Sequence, residues 1–205
     1  MEALEKIFYH DGYQLGMKAI QSGTNSEEIE NTLAEMYFAI DDMNNSLFDF
    51  AKKHGQNIAC KKGCEWCCHQ PVFALDYELD YLKKYIEENF PAEDQKVITQ
   101  RAREKNIKLG SLKNEDLLNT KHPCPLLKDG VCMAYKARPV ACRIYLSSNL
   151  NSCLKFYNEP EDKNNYPALL NFPMRAGRLM NEGFKAALKA GGIVAKEFRI
   201  EEKLK

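Results

Sequence analysis

Eight cysteines, unevenly placed, set the tightest limit on what this chain can become. Cys60, Cys64, Cys67 and Cys68 fall within nine residues, and Cys124, Cys132, Cys142 and Cys153 follow at wider intervals. The first 59 residues and the last 52 carry none. So dense a set of thiols goes either to disulfides or to metal, and the compartment decides which. The opening Met1-Glu2-Ala3-Leu4-Glu5-Lys6 has no basic region leading into an apolar run, so it does not read as a signal peptide. No apolar stretch approaches the roughly 20 residues of a membrane span. The expected compartment is the reducing cytoplasm, and the expected use of the cysteines is metal binding.

Thiolate is a soft, anionic ligand suited to zinc, copper(I) and iron–sulfur clusters. Spacing such as Cys64-x-x-Cys67 lets one turn present two sulfurs, and Gly63 and Gly130 relax the backbone so that nearby N–H groups can point at them. Cys67 and Cys68 are adjacent, and adjacent side chains diverge. Either they serve two neighbouring sites or one is a spare, redox-active thiol. For two sites, the expected grouping is Cys60, Cys64 and Cys67 with Cys142, and Cys68 with Cys124, Cys132 and Cys153.

Four thiolates on a divalent ion, or on an oxidised four-iron cluster, leave a net charge near −2. Lys61, Lys62, Lys136, Arg138 and Arg143 lie beside cysteines in the chain. The lysines read as solvated surface charge, the two arginines as neutralisers near sulfur. Tyr135 reads as a core tyrosine or as a donor to sulfur. His69 and His122 are neighbours of the ligands more than ligands themselves, and Trp66 shields the cluster or fills the core. With 29 basic and 29 acidic residues, no overall field draws the chain to nucleic acid or membrane. No phosphate loop, dinucleotide fingerprint or nucleophile elbow is present, so catalytic residues and substrate stay unassigned.

Around the cysteines the periodicity is helical. Residues 4–20 suit a helix despite Gly12 and Gly16, and Gly12-Tyr13 with Lys18-Ala19 is echoed by Gly183-Phe184 with Lys189-Ala190, as if two helices shared a small-residue packing face. Thr24, Asn25 and Ser26 offer caps for a second helix, whose apolar stripe runs from Ile29 through Leu33, Met36, Tyr37, Ile40, Met43 and Leu47 to Phe50. Further helices are expected over 76–89, from Pro91 to about Lys108, briefly after Pro139, and over 166–190 with a break at Pro173. Residues 124–132 suit a hairpin turning at Asp129-Gly130. Residues 149–165, rich in Asn, Glu, Asp and Lys, suit a loop. The expected class is mainly α: one domain over 1–205, its cysteine-rich core at 56–155 irregular apart from a short β-hairpin, wrapped by helical segments 1–55 and 156–205.

Four segments together, Cys60-x3-Cys64-x2-Cys67-Cys68, Cys124-Pro125-Leu126-Leu127, Gly130-x-Cys132-x2-Tyr135 and Arg138-Pro139-x2-Cys142-Arg143, resemble the zinc- or iron-chelating cysteine-cluster family. That family is similar in cysteine pattern to flagellin lysine N-methylases. The resemblance spans residues 60–143, with Cys153 beyond it, and implies a zinc or iron site. Cys60-x3-Cys64-x-Trp66-Cys67 also has the spacing of radical-SAM enzymes, but the flanking patterns lack the strand–helix alternation of their barrel. The leading expectation is a metal-binding protein holding zinc or an iron–sulfur cluster. A redox enzyme or methylase relative, and a metal carrier handing its ion to a protein partner, are the alternatives.

Overall fold

The computed structural model describes every residue but Met1, Thr24, Lys62 and Lys163, so the cap expected at Thr24 and the charge at Lys62 lie outside the described residues. The fold is mainly α. Helix α1 (Glu2–Ser22) runs against α8 (Asn171–Ala190), with α2 (Ser26–Lys53) packed across them. The glycine echo is the seam of the first pair. A Cβ on Gly12 would stand 1.9 Å from the Met180 carbonyl oxygen, and one on Gly183 2.0 Å from that of Tyr9. Only glycine permits backbones this close.

Asn25 caps α2 by accepting from the Glu28 N–H, and the helix buries Leu33, Met36, Tyr37 and Ile40. The expected stripe ends early, since Phe50 is exposed and stacks on His54 instead. These three helices, with Val140 and Ile144 from the short α6 (Val140–Ile144), enclose the first core. Helices α3 (Asp76–Asn89) and α4 (Ala92–Gly110) enclose the second with the terminal α9 (Ile200–Leu204), together with Leu126, Ala134 and Ala137. The chain from 124 to 144 therefore crosses from one core to the other.

Two small antiparallel sheets complete the structure. Strand β1 (Phe73–Leu75) pairs with β4 (Glu197–Arg199), tying residues 197–199 to the segment after the first cysteine motif. Strands β2 (Leu127–Lys128) and β3 (Val131–Cys132) form the expected hairpin, with Asp129 and Gly130 at φ 52° and 74° in its turn. Both residues at positive φ match the type I′ geometry that Asp-Gly favours. A short α5 (Asn114–Asn119) precedes this region.

Two expectations are overturned. The segment 149–165 is not all loop: α7 (Leu150–Asn158) occupies it, capped by the Asn149 side chain on the Ser152 N–H and anchored by buried Phe156. Helix α8 begins at Asn171, not at 166, and Pro173 causes no break. In the first turn its missing N–H has no intrahelical partner to lose. Among the described residues, no helix is long and apolar enough to cross a membrane.

Candidate metal centre

Cys60 follows the end of α2 in an extended segment held by Ala59 N–H to Ser147 O at 2.8 Å. Its sulfur accepts from the Ser147 N–H at 3.1 Å. Cys64 sits in a turn closed by its own N–H on Lys61 O, with Gly63 at φ 85°. Cys67 and Cys68 lie in a single 3-10 turn, Trp66–His69. Helix α7 packs on that turn through Tyr157, whose ring centroid is 5.0 Å from Trp66 and 4.9 Å from His69. This contact delivers Cys153, four residues earlier on α7.

The later cysteines come in along a paired backbone. His122 N–H bonds to His69 O at 2.8 Å and Cys124 N–H to Cys68 O at 2.7 Å, so Cys124 lies alongside Cys68. The hairpin brings back Cys132, opposite Leu127. Cys142 rides on α6, which Glu78 anchors: this buried carboxylate accepts from Val140 N–H at 2.8 Å, Leu75 N–H at 3.1 Å and the Tyr37 hydroxyl at 3.2 Å.

The electrostatic neighbours of the thiols form two sets that meet at Cys68. Cys60 is influenced by Cys64 and Cys153, Cys64 by Cys153 and Cys68, and Tyr145 by Cys67 and Cys153. Cys142 is influenced by Cys124, Cys132 and Cys68, and Cys132 by Cys124 and Cys68. Cys68 links the two sets, acting on Cys64 and hydrogen-bonding Cys67 on one side and acting on Cys124, Cys132 and Cys142 on the other. Cys153 is thus a neighbour of Cys60 and Cys64, and Cys142 of Cys68, Cys124 and Cys132, where the expected grouping placed these two late cysteines the other way round. The cause is α7, which folds back onto the 3-10 turn where a loop was expected.

Burial raises the thiol pKa at Cys60, Cys64 and Cys142, and takes Cys124 to about 11 and Cys132 to about 12. At Cys68 the hydrogen bond with Cys67 raises it first, and burial adds. Without a cation these groups stay neutral thiols, and a bound metal inverts that preference. Backbone N–H groups favour the anion. The N–H two residues on points at sulfur from Trp66 to Cys64, from Leu126 to Cys124 and from Ala134 to Cys132. Such donors orient and stabilise thiolate ligands. Soft donors with aligned N–H groups fit zinc or iron. Among the described residues, no three His, Cys, Asp or Glu side chains already stand at the spacing of a single preformed ion site. Every cysteine is free and partly exposed, and all but Cys153 line one cavity of about 1300 Å³.

The two arginines do different things. Arg138 lies over the Tyr135 ring at 3.7 Å, bonds Asp41 at 2.9 Å, and its charge reaches Cys132 and Cys142. Arg143, only 1% exposed, engages every nitrogen away from sulfur: Nε on Arg138 O at 2.8 Å, the other two on Asp41 and Lys136 O. Its guanidinium lies 4.0 Å from the centre of the Tyr37 ring. It fastens the segment before α6 to α2. Tyr135 is exposed and, among the described residues, its hydroxyl meets no sulfur. His69 Nδ1 contacts Glu65 O at 3.2 Å, while burial and then Lys108 and Lys105 lower the His122 pKa.

Lys105 is the residue near the thiols that motif reading passes over. It is buried on α4, donates to His122 O at 3.1 Å, and its charge acts on Cys68 and Cys124. A signal existed: Ile98, Ala102, Lys105 and Leu109 form one helical stripe, all buried.

No curated protein and no solved structure matches the chain. The model of the CxxCxxCC family, described as a putative zinc- or iron-chelating domain, matches residues 59–166, just over half of the sequence. That span takes in all eight cysteines, together with α7, which adds Cys153 to the group at the first motif. The chain belongs to the CxxCxxCC family of zinc- or iron-chelating domains.

Proposed function

We propose that this protein holds two thiolate metal centres, one on Cys60, Cys64, Cys67 and Cys153 and one on Cys68, Cys124, Cys132 and Cys142. What supports this reading is the packing: Tyr157 on the Trp66–His69 turn brings Cys153 to the first motif, and the Cys124 N–H on Cys68 O sets Cys124 beside Cys68. Each centre would be zinc or an iron–sulfur cluster. With four thiolates apiece, no ligand position stays open for hydrolysis, so the metal would serve structure or electron transfer. The reducing cytoplasm is the compartment in which eight free thiols persist for metal. The whole chain would act as one domain, with α6 and the hairpin joining the two cores through the centres.

Metal analysis of anaerobically purified protein tests the reading, because zinc is colourless and an iron–sulfur cluster is brown. Cys142→Ser and Cys153→Ser should each remove metal from one centre, with additive losses in the double variant. Cys142→Ser and Cys124→Ser should remove the same metal, so that their double variant loses no more than either alone. If Cys142→Ser and Cys153→Ser prove non-additive, the division is wrong.

A further inference from the structure

We infer that Lys105 is the built-in counter-cation of the centre on Cys68, Cys124, Cys132 and Cys142, placed to balance a loaded thiolate site of net charge near −2. This rests on the two-centre reading. Lys105 is 6% exposed, on the inward stripe of α4. A buried ammonium is costly unless an anion faces it. Among the described residues no carboxylate lies within ion-pair distance. Its donors go to two neutral carbonyls, His122 O at 3.1 Å and Gln70 O at 3.5 Å. These take two of its three hydrogens and leave its charge unbalanced.

Where those carbonyls sit is informative. Gln70 is two residues after Cys68 and His122 two before Cys124, and the two segments are zipped together by Cys124 N–H on Cys68 O. Lys105 thus stands at the end of the backbone pair that carries two of the four ligands, and its charge favours thiolate at both. The carboxylate that acts on Cys124, buried Glu201, lies 2.9 Å from Arg199 Nε, and Arg199 also pairs with Glu202 at 3.1 Å, so both carboxylates already have their cation and neither pairs with Lys105.

On the other side, Arg138 and Arg143 share Asp41. That trio is net positive by one, and Arg138 reaches Cys132 and Cys142. Of the two cations that act on this group of thiols, Arg138 has a carboxylate partner in Asp41 and Lys105 has none among the described residues, while Glu65 and Glu201 are the carboxylates that act on Cys68 and Cys124. Around the other group, the cation acting on Cys64 is exposed Lys61. Burying Lys105 without an anion makes little sense as stability alone, and a leucine would continue the stripe. A loaded thiolate centre supplies the missing charge.

The test compares full-length wild type with Lys105→Met, Lys105→Arg and the exposed control Lys96→Met, each loaded anaerobically with zinc alone. Chelator competition measures the affinity of each zinc, and melting is followed in metal-free and loaded forms. Lys105→Met should weaken one of the two zincs by roughly 10–100-fold, the range for partners just outside a ligand shell, and leave the other unchanged. Lys105→Arg should recover most of the loss, Lys96→Met should match wild type, and the rise in Tm on loading should shrink in Lys105→Met. Wild-type affinity for both zincs in Lys105→Met overturns the proposal, as does a fall in metal-free Tm equal to that of the loaded form. A wild-type chain that binds fewer than two zincs overturns the two-centre reading and the proposal together.

Discussion

Arg143 separates support of the fold from support of the metal. Its side chain is buried, yet each of its bonds goes to protein: the carbonyls of Arg138 and Lys136, the Asp41 carboxylate and the face of Tyr37. A charged donor to a carbonyl contributes about 1.5–3 kcal/mol, and two are lost in Arg143→Ala. The Asp41 pair adds at most about 1 kcal/mol, because Asp41 is 35% exposed and keeps Arg138. Stacking on Tyr37 adds about 1 kcal/mol, and release of the guanidinium from burial offsets part of the sum. The expected loss is about 3–5 kcal/mol for Arg143→Ala and about 2 kcal/mol for Arg143→Lys, which keeps a charge but only one branch of the fork. Urea denaturation of metal-free and loaded protein measures both. The loss should be equal in the two forms, since no bond runs to sulfur. A metal-free stability within about 0.5 kcal/mol of wild type would refute this account, and so would a loss confined to the loaded form.

Other expected outcomes follow from single observations. Gly183→Ala drives a methyl into the Tyr9 carbonyl and should cost about 1–3 kcal/mol or prise α1 from α8, whereas Gly110→Ala, with open space and no positive φ, should be neutral or stabilising by up to about 1 kcal/mol; thermal melts of both variants that coincide would contradict the close approach. Burial holds Cys124 at about 11 and Cys132 at about 12 in the metal-free protein, above the roughly 8.5 of an unfolded thiol. The folded state therefore keeps protons that the unfolded state releases first. Their contribution is complete below about pH 8.5 and declines as pH rises towards 11–12. The metal-free Tm should fall between pH 8 and 9.5 while the loaded Tm changes less, because its ligands are already deprotonated; a flat metal-free profile is the contrary result.

Much of the fold was legible because local rules were obeyed. The 29–40 stretch alternates at helical spacing behind an Asn cap, Asp129-Gly130 has one favoured hairpin geometry, and paired glycines announced the α1–α8 seam. Two features were not local. Strand β1 finds its partner β4 more than a hundred residues later, and three-residue strands carry too little pattern to foretell it. Helix α7 hides in polar composition because one side of it faces solvent: Asn149 and Ser152 looked like loop residues and are its cap, while Phe156 alone marks the buried side.

The same helix explains why the site was half legible. Adjacency of Cys67 and Cys68 argues for two groups on stereochemical grounds alone, and Cys68 has thiol neighbours on both sides. Which late cysteine lies near which group depends on the path of the chain after α6, which adjacency of Cys67 and Cys68 does not address. Tyr157, in ring contact with Trp66 and His69, holds α7 and its Cys153 against the first motif, while the neighbours of Cys142 are Cys124, Cys132 and Cys68. Charge misled in the same manner. Arg143 is next to a cysteine in sequence and bonds to none, whereas Lys105, nineteen residues before Cys124, faces two thiols from a neighbouring helix. A ligand shell is assembled across elements, so a charge interrupting an apolar stripe is better evidence of a nearby centre than a charge beside a cysteine. Lys105 interrupts such a stripe, and Arg143 lies in none that the sequence displays.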